Sequence, residues 1–183
     1  VQNRLYVLLR CPFMRFLHMH LKEIILPQLR LTALLCVSKN YSKLVADLFA
    51  GLGTFALSVG EGRKVYAGEA DRAATTSLKS ATGLAQRSIF AEHRDLFRRP
   101  LSAAELNRFE AVILDPPRAG AREQVGQLAA SQVPKIAYVS CNPGSFARDA
   151  KQLIEGGYAL QRIWPVGQFR WSTHVEMVGE FSR

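Results

Sequence analysis

From Leu44 onward, short apolar runs alternate with longer stretches in which apolar residues recur at helical spacing. Runs bounded by turn residues predict strands at 44–48, 64–68, 88–91, 109–114, 135–140, 158–164 and 174–181. Between them the spacing predicts helices over 54–60, 71–83, 122–131 and 145–155, the last stopped by Gly156-Gly157. This β-α-β rhythm predicts an α/β fold, a mostly parallel seven-stranded sheet with helices on both faces. The last two runs have no helix between them, so they are expected to form an antiparallel pair at the sheet edge.

Residues 1–43 break the pattern. They are rich in Leu, Arg and His, and Pro12 and Pro27 interrupt any long helix. They are expected to be an atypical basic segment, non-native or poorly ordered, ahead of a single catalytic domain at 44–183. An Arg-rich, acid-poor start is shared with transit peptides, but the prolines spoil a clean amphipathic helix. No apolar run approaches the ~18–20 residues of a membrane span, so no membrane partner is expected.

Charge changes the picture only locally. The formal net charge is +9, but residues 1–43 hold seven Lys/Arg against one acid, and the other 140 residues hold 17 against 14. The basicity permits an RNA partner without establishing one. The three cysteines, Cys11, Cys36 and Cys141, are odd in number and far apart. That argues for a reducing, cytoplasmic setting and against a disulfide framework. No Cys-x-x-Cys or Cys/His cluster suggests a metal site.

Candidate chemistry gathers where strands end. The first run ends in Asp47 and passes into Phe49-Ala50-Gly51-Leu52-Gly53-Thr54. Gly51 and Gly53 let the backbone turn tightly and approach a ligand at the start of the next helix. Glu69 closes the second run, 18 residues past Gly51, where a carboxylate can bind both ribose hydroxyls of a nucleoside cofactor. The loop fits a dinucleotide loosely. It fits S-adenosylmethionine better, because Asp47 would repel a pyrophosphate and suits an ammonium group. A tight turn with no ligand is the third alternative.

Asp95 follows the third run and could accept a hydrogen bond from an adenine amino group, or simply cap a helix. Asp115-Pro116-Pro117-Arg118-Ala119-Gly120 follows the fourth, its prolines stiffening the loop. Cys141-Asn142-Pro143 follows the fifth. A lone cysteine more often packs as a small apolar residue, but Asn-Pro favours a turn that puts this thiol at a strand tip, as a candidate nucleophile. In the last run, alternation puts His174 and Glu176 on one face and Val175 and Met177 on the other. Glu176 beside Cys141 would give a nucleophile and a base; taken alone it could equally be a solvated carboxylate.

These blocks, in this order, resemble the catalytic domain of the RNA uracil-5-methyltransferase family. The match is carried by Asp115-Pro116-Pro117-Arg118-Ala119-Gly120, by Tyr138-Val139-Ser140-Cys141-Asn142-Pro143 with Phe146-Ala147-Arg148-Asp149, and by His174-Val175-Glu176. The resemblance spans about Leu44 to Arg183. It implies a Rossmann-like class I methyltransferase that uses S-adenosylmethionine to methylate carbon 5 of a uridine in tRNA or rRNA. It further implies Cys141 as nucleophile and Glu176 as general base. Asp47, Phe49, Gly51, Gly53, Thr54, Glu69, Asp95 and Asp115 would serve the cofactor, and Pro116, Arg118, Asn142 and His174 the substrate. Arg148 and Asp149 fall in the family's signature helix; alone they would read as a surface ion pair worth little.

The chain departs from the family at Gly167, where an Asp is usual, and at Arg170, where a Pro is usual. Residues 1–43 resemble neither the family's Gln-containing cofactor segment nor its upstream barrel and iron–sulfur region. A truncated or frame-disrupted member is therefore expected. Cytosine-5 methylation is disfavoured, since it would want a second cysteine after Pro117, where Arg118 stands. Adenine amino methylation would want an aromatic residue there. An inactive RNA-binding or assembly module is the alternative from a different class.

Overall fold

The computed structural model describes residues 44–167 and 175–183. The segment 1–43 and His174 lie outside the described residues.

Seven strands form one sheet: β1 (Leu44–Leu48), β2 (Lys64–Glu69), β3 (Ile89–His93), β4 (Ala111–Leu114), β5 (Lys135–Ser140), β6 (Ala159–Gly167) and β7 (Val175–Ser182). Their spatial order is β3-β2-β1-β4-β5-β7-β6. The first five are mutually parallel, so all their C-terminal ends meet at one edge. β7 inserts between β5 and β6, antiparallel to both. The expected antiparallel pair is present at that end, and β6 takes the outermost place.

Among the described residues, five helices cover the sheet: α1 (Thr54–Val59), α2 (Arg72–Leu84), α3 (Ala103–Leu106), α4 (Arg122–Ala129) and α5 (Pro143–Glu155). Strand alternation divides the core into two layers. On one face Phe55, Ala56 and Val59 of α1 and Leu78 of α2 meet Val45, Val65, Ala67, Ile113, Ala137, Val139 and Val178. On the other, Leu106, Val125, Leu128, Phe146 and Leu153 of α3 to α5 meet Leu48, Tyr66, Leu114, Tyr138 and Phe181. Because both faces are covered, β4 reads as an unbroken apolar run, Ala111-Val-Ile-Leu114.

Several element ends differ from the sequence expectation by two or three residues, and two differences have a local physical reason. α5 starts at Pro143 rather than 145, because proline suits the first helical position and the Asn142 side chain accepts from Gly144 N. α3 went unpredicted. It is one turn held by a capping box, in which Ser102 accepts from Glu105 N and Glu105 accepts from Ser102 N. Ser-x-x-Glu was its visible signal. Buried Arg94 anchors the same turn, donating from Nη1 to Glu105 (2.8 Å), from Nε to Arg99 O and from Nη2 to Pro100 O. Pairing with Arg94 and Ser102 pulls the Glu105 pKa down to about 2.

The insertion of β7 depends on Phe181, which is fully buried and lies 6.3 Å, centroid to centroid, from the Phe146 ring of α5. Phe181→Ala is expected to lower unfolding stability by about 3–5 kcal/mol, read as a lower urea midpoint. An unchanged midpoint would mean that β7 does not carry the core on that side.

Candidate active site

The parallel strands deliver their last residues to one edge, and alternation decides which face each side chain takes. Val45, Val65, Ala67, Ile113, Ala137 and Val139 all point to the α1/α2 side. Continuing each strand by two residues brings Asp47, Glu69, Asp115 and Cys141 to that same side. β7 obeys the same rule: Val178 belongs to this layer, so Glu176 shares its face.

The β5–β7 ladder then brings the thiol and the last carboxylate together. Its register runs from Lys135 opposite Ser182 to Ser140 opposite Met177. The ladder ends at that pair; Cys141 follows Ser140 and Glu176 precedes Met177, so both lie at the same end of these two strands. Cys141 is a free, partly exposed thiol. On its other side Glu176 stands opposite Val166 of β6.

The loop after β1 is built tightly. Phe49 N and Ala50 N both donate to Gly68 O, at 3.0 and 3.1 Å, and Gly51 N donates to Glu69 Oε2 at 2.8 Å. Phe49 adopts φ 63°, a left-handed conformation uncommon outside glycine, and its ring lies 5.3 Å from that of Phe97. Gly53, at φ +89°, has no room for a side chain, since a Cβ there would sit 2.3 Å from Leu78 Cδ1. Thr54 is exposed at the first position of α1.

Four carboxylates gather at this edge. Asp47 is fully buried; its Oδ2 accepts from Ala56 N at 2.8 Å, and its Oδ1 has no protein partner. Burial pushes its pKa up to about 8, with Asp115 and Glu69 adding to the rise and the Ala56 N–H opposing it. Asp115 is pushed up to about 6, first by the crowding of protein around it and then by Glu176. Solvent reaches Asp115, which tempers that shift. Glu69 is held at both oxygens, by Gly51 N and by Asp71 N at 2.7 Å. Each oxygen keeps a second lone pair for a hydroxyl donor.

A cationic ligand is what such a site accommodates. A buried, half-satisfied carboxylate (Asp47) beside a second one (Asp115) is costly alone and is relieved by a positive charge. Gly51 and Gly53, both at positive φ, let the neighbouring loop turn tightly. The donor set therefore fits the sulfonium and ammonium groups of S-adenosylmethionine, with Glu69 placed for a ribose.

Not every expected residue faces this edge with its side chain. Asp95 Oδ1 accepts from Phe97 N and Arg98 N, so its carboxylate caps the turn after β3. Asn142 holds Arg118 O with its amide N–H at 3.0 Å while capping α5 with its carbonyl. Pro116 is buried and Arg118 is exposed. The Arg148–Asp149 pair is no surface ion pair: Asp149 is fully buried and accepts from Ala121 N, the Tyr138 hydroxyl and Arg148. Sequence reasoning missed Phe97. Its signal was one aromatic in a run of charges, His93-Arg94-Asp95-Leu96-Phe97-Arg98-Arg99.

A hollow of about 400 Å³ opens at the other end of the sheet. Leu44, Lys64, Phe90 and Arg108 help to line it, and it shares nothing with this edge. No helix among the described residues is long and apolar enough to cross a membrane, and no His/Cys/Asp/Glu group there could hold a metal ion.

The comparisons with known proteins agree with the geometry. A family model described as tRNA (uracil-5-)-methyltransferase matches residues 80–181. An uncharacterized RNA methyltransferase of Zymomonas mobilis is 60% identical over 139 residues, which make up 76% of this chain and 35% of that protein. The 23S rRNA (uracil(1939)-C(5))-methyltransferase RlmD of Pseudomonas fluorescens is 42% identical over 145 residues, 75% of this chain and 31% of its own length. The crystal structure of Pyrococcus abyssi tRNA (uracil-54, C5)-methyltransferase, in complex with S-adenosyl-L-homocysteine, superposes with a TM-score of 0.71 at 29% identity. It covers 84% of this chain and 38% of that one. Magnesium protoporphyrin IX methyltransferase of Synechocystis, at 14% identity and TM-score 0.69, shares the fold alone. The chain spans about a third of the length of the curated relatives it matches. With the model covering more than half of its residues, the chain belongs to the tRNA (uracil-5-)-methyltransferase family.

Proposed function

We propose that this chain carries the catalytic site of an S-adenosylmethionine-dependent methyltransferase acting on carbon 5 of a uridine in tRNA or rRNA. The observation that supports the reading is the β5–β7 ladder, whose last pair, Ser140 opposite Met177, leaves Cys141 and Glu176 as the residues just beyond it at the same end of the sheet. Family membership and the carboxylate-lined edge support it.

Uracil carbon 5 is a weak nucleophile. In the proposed reaction the Cys141 thiolate adds to carbon 6, forming a C–S bond and moving the ring's π electrons towards carbon 5 and the adjoining carbonyl oxygen. The cofactor, when bound, supplies an electrophilic methyl group for carbon 5. Glu176 then takes the carbon 5 proton; the released electron pair restores the ring double bond and expels the Cys141 thiolate. One difficult substitution becomes two easier steps. Asp47, Asp115 and Glu69 orient the cofactor, with Phe49 and Thr54 on the same loop. The target base must leave its stack or lie in an RNA loop for the thiol to reach it.

Cys141→Ala is expected to abolish methyl transfer to unmodified tRNA and rRNA transcripts while keeping the Kd for S-adenosyl-L-homocysteine within about threefold. Calorimetric titration checks the second half. Lost cofactor affinity in that variant would mark the cysteine as structural.

Glu176→Gln is expected to accumulate a protein–RNA adduct that survives denaturing electrophoresis, because elimination lacks its base. Turnover at the wild-type rate would remove Glu176 from that role.

Asp47 gives a pH dependence with a definite sign. Its folded pKa of about 8 lies above the ordinary aspartate value of 3.8, so between those values the folded state keeps a proton that the unfolded chain has released. Stability from this group is therefore full below pH 3.8 and is lost as pH climbs through about 8. Asp47→Asn is expected to raise Tm relative to wild type near pH 9, by about 2–4 °C per kcal/mol recovered, and to change it little near pH 4. The same variant is expected to bind S-adenosylmethionine at least about tenfold more weakly. A Tm difference independent of pH, by scanning calorimetry, would contradict the first expectation.

A further inference from the structure

The loop Asp115–Ala121 leaves β4 carrying the Asp-Pro-Pro-Arg sequence and passes close to the start of α5. Three of its backbone groups are held by α5 side chains. Asn142, adjacent to Cys141, donates to Arg118 O at 3.0 Å. Arg148 Nη2 donates to Ala119 O at 2.9 Å. Asp149 Oδ2 accepts from Ala121 N at 2.8 Å. Asp149 is itself fixed by the Tyr138 hydroxyl of β5 (2.7 Å) and by Arg148 Nε (2.8 Å). Gly120 makes this closeness possible: at φ +82°, a Cβ there would lie 2.5 Å from both Arg148 Nη2 and Asp149 Oδ2.

The arrangement exceeds what fastening a helix needs. α4 and α5 already meet through Val125, Leu128, Phe146 and Leu153. A fully buried carboxylate is retained only where its hydrogen bonds compensate its desolvation. Here every one of those bonds converges on one place, the junction between the loop and the strand that ends beside the thiol. A guanidinium suits that junction because its planar fork serves the Asp149 carboxylate and the Ala119 carbonyl together, which an ammonium group cannot do in the same geometry.

We propose that Arg148 and Asp149 are positioning residues, which together with Asn142 set the Asp115–Ala121 loop in register with Cys141. This deepens the methyltransferase reading and rests on it for its kinetic consequence. Displacements of about 1 Å between reacting groups can cost about 10²-fold in rate.

The test uses Arg148→Lys, which keeps the charge and loses the fork, and Asp149→Asn, which keeps the volume and introduces a donor where Ala121 N, Tyr138 and Arg148 all donate. In both, kcat for methyl transfer is expected to fall by about 10²-fold, with KM for RNA and Kd for S-adenosyl-L-homocysteine within about threefold of wild type. Alkylation of Cys141 by iodoacetamide, followed peptide by peptide by mass spectrometry, is expected to quicken at least about fivefold as the loop leaves the thiol. Wild-type kcat together with wild-type alkylation in Arg148→Lys would overturn the proposal. So would losses of kcat, cofactor binding and melting temperature that move in step in both variants, since that is a purely structural role. If the wild-type chain transfers no methyl group, the functional reading fails, and the alkylation rates alone decide the positioning role.

Discussion

The antiparallel ladder between β5 and β7 is the constraint on which the site depends. In a purely parallel sheet every strand would bring only its C-terminal end to the catalytic edge. β7 runs the other way, so its N-terminal end arrives there instead. That reversal puts Glu176, early in β7, at the same end of the sheet as Cys141, just past the end of β5, although 35 residues separate them. A slip of one residue would carry Glu176 to the opposite face and break the relation. The apolar pattern guards against such a slip. Phe181 fits only beside Phe146, and Gly179 lies so close to that ring that a Cβ would meet it at 2.7 Å.

Electrostatics at the same edge point in a second direction. Asp47, Glu69 and Asp115 arrive there at the C-terminal ends of parallel strands, and Glu176 at the N-terminal end of the antiparallel β7. Desolvation by the surrounding protein, with a smaller contribution from neighbouring carboxylates, raises the pKa values of Asp47 and Asp115. A protein that sought stability alone would not leave Asp47 Oδ1 buried without a partner. The strain is concentrated where a cation would relieve it, and the left-handed Phe49 lies in the same loop.

Much of this was legible before any coordinates. The expected strand and helix ranges from 44 onward agree with the observed elements to within a few residues, because continuous apolar runs and 3.6-residue spacing are local signals. That Asp47, Glu69, Asp115 and Cys141 lie at or just past the C-terminal ends of parallel strands could be read from the apolar runs before them. What escaped were relations that no local pattern encodes. The place of β7 between β5 and β6 is a matter of pairing. Asn142 holding Arg118 O required knowing where the neighbouring backbone runs. Asp149 looked like a surface charge because an exposed and a buried aspartate have the same spelling; only its three donors distinguish them.

Gly167 illustrates how the ladder ties a sequence departure to the site. It is the last residue of β6 and pairs with Val175, while its neighbour Val166 pairs with Glu176. Position 167 thus stands at the catalytic edge, one step along the ladder from the carboxylate assigned as base. The Asp that the family resemblance leads one to expect there would add a further acid to an edge where Asp115 is already raised by Glu176. Glycine adds no charge and offers no side-chain contact to a pyrimidine. The neighbouring Asp115–Ala121 loop carries the other polar groups near this edge, with Arg118 O and Ala119 O accepting from Asn142 and Arg148 and Ala121 N donating to Asp149.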